Sequence, residues 1–338
     1  KAPLQALARE VDPDRTLLYL PDWRSHPYDV MYPDYTPSAD AVEFIATAHS
    51  LGFRVMAHGN LVGISPFHPR LAEFEDVLEH DPVSGGPVGW WLDRDVQSKI
   101  YCLNPAAAKA RKLLVDSFVA SHALAGFDAL HLDFPLIVNA ESGPLEGRNP
   151  IQGTVALLRE LQAALPDVPL GTEGIFDYML DCSFGQVGEP FWNNYESQGR
   201  YHPFRAAIFS AFCNPYGHLG IPDQQTDLQA YLSFTEIHDR LGVLPTFTLN
   251  RDLGFDPENP GTRFALRQAR HGADAQFAID HVQQIGMNIE RGKQGFTGVD
   301  GNLAEPVQHH RAGGQRHAPF DIAHDPAVKQ HDRTAAQT

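Results

Sequence analysis

The residues best suited to chemistry sit at the ends of short apolar runs. His131 and Asp133 lie in ALHLDF, His58 and Asn60 in FRVMAHGN, Glu173 in PLGTEG, and Asn250 ends VLPTFTLN. Side chains alternate between the two faces of a strand. Alternation puts His131 with Asp133 on one face and Leu130, Leu132 and Phe134 on the other. The same rule groups Met56, His58 and Asn60, then Gly171 and Glu173, then Thr246, Thr248 and Asn250. Gly171 leaves space beneath the Glu173 carboxylate. A buried carboxylate is costly unless it is paired or functional. Two such groups at one mouth suit glycoside hydrolysis. One carboxylate attacks the anomeric carbon and one acid protonates the leaving oxygen. Their proximity separates their pKa values and hence their roles.

Aromatic residues are the second signal. Trp90 and Trp91 fall in PVGWWLDRD, Trp192 in EPFWNNYES, and Trp23 ends TLLYLPDW. Indole faces stack on the apolar faces of sugar rings, and polar side chains bind the hydroxyls. His58, Asn60, Trp90, Trp91, His131, Trp192 and Asn250 are therefore the expected substrate-binding residues, beside Asp133 and Glu173 as the catalytic pair. His58, His131 and Asp133 also form the alternative of a metal-dependent hydrolase. The pattern is HGN rather than H-x-H, and His218 in NPYGHLGIPD joins only if its loop folds inward. The expectation is accordingly no metal and no cofactor.

The elements that carry these residues alternate. Helical patterns cover Pro3–Val11, Asp40–Leu51, Pro105–Ala125 (with Asn104 as N-cap and Gly126 as stop), Gly153–Leu165 and Asp227–Leu241. Strand patterns cover Thr16–Trp23, Phe53–Asn60, Phe127–Phe134, Asp167–Gly174 and Val243–Asn250. Two further strands are expected somewhere in positions 175–222. Strand–helix alternation implies parallel strands. No glycine-rich turn follows an early strand, so a dinucleotide fold is disfavoured. Polar residues at several strand ends point instead to a (β/α)8 TIM barrel, which keeps its chemistry at that face.

The 338 residues carry Lys+Arg 26 against Asp+Glu 42, a net charge of -16. An acidic surface disfavours nucleic acid and anionic membranes as partners, and no apolar run is long enough to span a bilayer. The cysteines, Cys102, Cys182 and Cys213, are odd in number and lack metal-ligand spacing. They read as buried free thiols, leaning towards a reducing compartment. Beyond Ala273 there is no Trp or Tyr, and Gln and His accumulate. The expected division is a barrel over 1–272 and a poorly packed or disordered tail over 273–338.

LLYLPDW with YPDY, GFRVMAHGN, GFDALHLDF and LPDVPLGTEG together resemble the glycosidase-type (β/α)8 barrels. These include α-amylase-like and endo-α-N-acetylgalactosaminidase-like enzymes. The run from YPDY through HLD to the Glu strand is most similar to a bacterial family of glycosidase-like barrels. The resemblance covers about residues 10–270. It implies a retaining hydrolase of α-linked sugars, with an oligosaccharide or glycoside as substrate. Asp133, ending strand four, matches the nucleophile and Glu173, ending strand five, the acid/base. They stand 173 − 133 = 40 residues apart. His131 occupies the place where α-amylase-like enzymes carry Arg, which weakens a starch-type specificity. A barrel that binds carbohydrate without catalysis is the other reading. The resemblance also makes Thr16–Trp23 the second strand, so that strand one would lie upstream of Lys1 and the barrel would be incomplete.

Overall fold

The computed structural model describes residues 2–27, 30–92, 95–133, 142–179, 181–186, 208–209, 211–217, 223–240, 242–249 and 254–274. The tail expected from 273 lies outside them after Asp274. The chain opens with helix α1 (Ala2–Leu7), strand β1 (Leu17–Leu20), helix α2 (Ala39–Ser50) and strand β2 (Arg54–Asn60). Three strands follow before the next helix: β3 (Gly63–Ile64), β4 (Gly89–Leu92) and β5 (Asp95–Cys102). Then come α3 (Ala108–Ala125), β6 (Ala129–Asp133), α4 (Pro150–Ala164) and β7 (Leu170–Thr172). Strands β8 (Phe184–Gln186) and β9 (Asn214–Tyr216) precede helices α5 (Leu228–Arg240) and α6 (Pro260–Asp274).

Six strands form one curled sheet in the order β1-β2-β6-β7-β8-β9, every neighbouring pair parallel. This is a half-barrel with helices on its outer face. The two strands expected in positions 175–222 are β8 and β9. Val243–Asn250 was expected as a further strand, but only Leu244 bridges in parallel, to Tyr216. Its backbone is held otherwise. The Gln224 side chain accepts from Thr248 N at 3.0 Å and donates to Thr248 O at 2.8 Å. The Tyr231 hydroxyl donates to Thr246 O at 2.8 Å. Side chains thus take the place of a neighbouring strand's peptide groups. A closed eight-stranded barrel is not reached within the described residues.

Alternation sorts the core into two layers. Leu18, Val55, Ala57, Leu130, Leu132 and Leu170 face outward and join Ile45, Phe118 and Leu157 of the helices in one cluster. Met56, Ala129 and Tyr216 face inward, with Tyr19 and Phe184 against them. Helix α2 starts at Ser38, whose hydroxyl accepts from Ala41 N at 3.1 Å. Helix α4 carries a capping box between Asn149 and Gln152. Helix α3 begins three residues later than its sequence pattern suggests. Asn104 accepts from Ala106 N at 2.9 Å rather than capping the helix, and the buried Arg111 guanidinium binds the carbonyls of Pro105 and Ala106. Gly126 ends α3 at φ +69°, a conformation that suits glycine. Arg270 on α6 reaches the Glu10 carbonyl at 2.9 Å and its carboxylate at 3.0 Å, so the last described helix lies against the N-terminal segment.

The β3–β5–β4 sheet is antiparallel and separate, inserted between β2 and α3. Cys102, Cys182 and Cys213 are free and buried. Burial raises the Cys182 thiol to about 12 and the Cys213 thiol to about 11. Among the described residues, no helix is long and apolar enough to cross a membrane.

Two stability predictions follow from the packing. A Cβ at Gly153 would sit 2.2 Å from Ala106 N and 2.3 Å from Pro105 C. Backbone cannot yield as a flexible side chain does, so Gly153→Ala should destabilise the chain by about 1–3 kcal/mol in chemical denaturation. The second concerns His238 on α5, whose pKa burial lowers to about 4. The unfolded chain takes up this proton near 6.5. Stability from the neutral imidazole is full above that pH and declines as pH falls towards 4, by up to roughly 3 kcal/mol. His238→Gln should flatten the pH dependence of the unfolding midpoint over this window.

Candidate functional site

The site follows from sheet register. His58 pairs with His131 and Asn60 with Asp133 across β2 and β6. His131 pairs with Gly171 and Leu132 with Thr172 across β6 and β7. The next residue, Glu173, donates its N–H to Leu132 O at 2.9 Å, continuing the ladder. Asp133 O accepts from Leu61 N at 2.9 Å in the same way. Glu173 therefore stands beside Asp133 on the neighbouring strand, at a spacing of about 4.8 Å between backbones. Paired residues of parallel strands point to the same face. Asp133 is 7% exposed and Glu173 3%, and both sit at the C-terminal ends of their strands.

The histidines lie directly beneath. His58 and His131 are both 0% exposed, with ring centroids 5.5 Å apart and planes 23° from parallel. His58 Nε2 lies 3.5 Å from Asp133 Oδ2. Tyr19 meets both rings edge-on, at 6.3 Å from His58 and 5.3 Å from His131. The Tyr216 hydroxyl is hydrogen-bonded to His131 Nδ1. Burial, reinforced by the negative field of Asp133, pushes the Tyr216 hydroxyl well above its usual pKa, so the phenol stays protonated. Gly171 gives this hydroxyl its place, because a Cβ there would lie 3.1 Å from the Tyr216 oxygen. The space expected beneath Glu173 is thus filled by a tyrosine from β9. Gln186, 1% exposed, occupies the top of β8 beside it.

Aromatic residues behind the strands hold the backbone. Trp23 is fully buried, stacks on Tyr35 at 6.4 Å, and donates its indole N–H to His58 O at 2.7 Å. The Tyr35 hydroxyl donates to Asn60 O at 2.6 Å and accepts from Asn60 N at 2.9 Å. The Asn60 side chain turns back on its own loop, where Oδ1 accepts from Val62 N at 3.1 Å and Gly63 N at 2.7 Å. Trp90, half-buried on β4, lies over this turn. A Cβ at Gly63 would be 2.9 Å from both its ring and Asn60 Oδ1.

The structure thus gathers His58, Asn60, His131, Asp133 and Glu173 at one end of the sheet, with Trp90 over the Asn60 turn. Trp91 follows Trp90 on β4 and pairs with Lys99; its side chain, like Trp192, His218 and Asn250, lies outside the described residues. Sequence reasoning missed Tyr19, Tyr216 and Gln186. Tyr19 was legible by alternation in LLYL. Tyr216 and Gln186 belong to three-residue strands too short to show a period.

Asn60 generates a stability prediction. Removing its carboxamide leaves two buried backbone donors unsatisfied. Asn60→Ala should cost roughly 1–3 kcal/mol in urea denaturation. Unchanged stability would mean that the turn does not depend on this side chain.

No family model and no curated protein sequence matches the chain. Solved structures do match. An α-galactosidase from Thermus thermophilus aligns with a TM-score of 0.52 at 16% identity, covering 78% of this chain and 59% of that one. A ligand-free α-N-acetylgalactosaminidase from Bifidobacterium bifidum aligns with a TM-score of 0.56 at 13% identity, covering 83% of this chain and 44% of that one. The chain spans about half the length of these two proteins. Identities this low speak to fold alone. The chain has a glycosidase-like α/β fold, a curled parallel half-barrel with polar groups at the carboxyl ends of its strands.

Proposed function

We propose that the chain is a glycoside hydrolase of α-linked sugars that works by a retaining two-carboxylate mechanism. The observation that carries this reading is the placement of Asp133 and Glu173. They are buried, adjacent in register, and at the mouth end of a sheet of glycosidase-like fold. The neighbours are an α-galactosidase and an α-N-acetylgalactosaminidase, which supports a related substrate class.

In the first step an Asp133 oxygen forms the bond to the anomeric carbon while the glycosidic bond breaks and Glu173 gives its proton to the leaving oxygen. In the second, Glu173 takes a proton from water, whose oxygen displaces Asp133 from the sugar. The starting carboxyl states are regenerated. His58, 3.5 Å from Asp133 Oδ2, orients the nucleophile. Trp90 serves as a platform for the sugar face, with Trp91, Trp192 and Asn250 as further binding residues. His131 and Tyr216 hold the floor of the site. Asn60 shapes the turn from β2 into β3 over which Trp90 lies.

A panel of nitrophenyl α- and β-glycosides tests the reading. Asp133→Asn should lose turnover entirely while its circular dichroism spectrum is unchanged. Glu173→Gln should lose about 10²–10⁴-fold on sugars with poor leaving groups and much less on nitrophenyl glycosides, which need no acid. Proton NMR should show the α-anomer released first. Full activity in Asp133→Asn, or no hydrolysis or binding of any glycoside, would overturn the assignment.

A further inference from the structure

The geometry points to a divalent transition-metal site formed by His58, His131 and Asp133, whose occupation switches hydrolysis off. One ligand atom from each of these three residues lies within 4.8 Å of the other two, and all three residues are buried. Two imidazoles and one carboxylate suit zinc and its neighbours rather than magnesium or calcium, which prefer oxygen alone. Ligand atoms at about 2.1 Å from a tetrahedral zinc stand roughly 3.4 Å from each other. The His58 Nε2 to Asp133 Oδ2 separation is already 3.5 Å. The other separations, up to 4.8 Å, exceed that spacing, so metal binding calls for the His131 ring and the Asp133 carboxylate to turn inward. The β2–β6 register already sets His58 beside His131 and Asn60 beside Asp133.

A second observation concerns His131. Its Nδ1 is engaged by the Tyr216 hydroxyl. Metal-bound histidines characteristically commit the other ring nitrogen to such an outer partner, which fixes tautomer and ring direction. In the tautomer that donates Nδ1–H to the Tyr216 oxygen, Nε2 is the ring atom left for a metal to bind. Three protein ligands leave the fourth position for water. Both a metal ion and a glycosyl group require the Asp133 carboxylate. A bound ion therefore blocks attack on the anomeric carbon, and a bound sugar competes with the ion. The blocking half of the inference rests on Asp133 being the nucleophile; the binding half does not.

The test is titration of the whole chain with Co²⁺, read by its d–d absorption, and with Zn²⁺ against a chromophoric chelator. The wild type should hold one tight equivalent with the absorption of a four- or five-coordinate ion. The remaining histidines of the 17 in the chain set a weak background. His58→Ala with His131→Ala, and separately the near-isosteric Asp133→Asn, should remove the tight equivalent and its spectrum. Tyr216→Phe should weaken it by about 10–100-fold. Thermal unfolding by circular dichroism verifies that each variant is folded. A wild type with no site tighter than that of the folded Asp133→Asn chain would overturn the metal site. Zn²⁺ should also inhibit glycoside hydrolysis, reversibly by chelator and competitively with substrate. Tight binding without inhibition would overturn the switch. Tight, Asp133-dependent cobalt binding in a chain that hydrolyses no glycoside would support the metal site and sink the hydrolase reading. Hydrolysis with no tight cobalt site would do the reverse.

Discussion

Everything at the site depends on the parallel register of β2, β6 and β7. Each pairing brings equivalent positions of neighbouring strands to the same face and height. His58 is set beside His131, and Asn60 beside Asp133, which the Leu132–Glu173 backbone bond sets beside Glu173. A slip of one residue would turn the carboxylates into the helix layer and the leucines into the interior. Such a slip is opposed by the outer face, where Leu130 and Leu132 pack with Phe118 and Leu157. Apolar packing on one side of the sheet thus fixes polar geometry on the other.

The inward face is built in two tiers. Met56, Ala129 and Phe184 form an apolar floor with the Tyr216 ring. Above it the polar groups gather where the strands end. Burying two histidines, two carboxylates and a phenol demands partners, since an unsatisfied polar atom in a dry interior is costly. The Tyr216 contact to His131 Nδ1 and the His58–Asp133 approach meet part of that demand. The proposed hydrolysis and the proposed metal binding would draw on the same oriented, desolvated lone pairs.

A second tier of support lies behind the strands. Trp23 and Tyr35 bind the backbone at His58 and Asn60 rather than their side chains. The aromatic residue expected to be available from TLLYLPDW is thus committed to the scaffold. Trp90 reaches the same region from the inserted antiparallel sheet, over the turn that Asn60 closes. The half-barrel carries the buried polar groups and the inserted sheet carries Trp90, so this end of the fold is built from two different kinds of sheet.

Much of this was readable from local pattern. Period-two alternation in ALHLD and RVMAHGN determined which residues face inward, since that follows from strand geometry alone. Helices α2 and α4 were legible from apolar spacing. The two carboxylates, with their 40-residue spacing, lay in the sequence as well; the caps at Ser38 and Asn149 emerged only with the structure. Tertiary structure decided the rest. Strands β8 and β9 are three residues each, below the length at which a period can be recognised, and they exist because neighbours supply their hydrogen bonds. The run after Val243 has a strand's sequence but, past the single Leu244 bridge to β9, bonds to Gln224 and Tyr231 side chains. The meeting of Tyr216 with His131, 85 positions earlier and three strands away, depends on how the sheet curls, and the approach of His58 to Asp133 on the pairing of β2 with β6. Local sequence determines which face a side chain takes; only the register and curvature of the assembled sheet determine which side chains then meet.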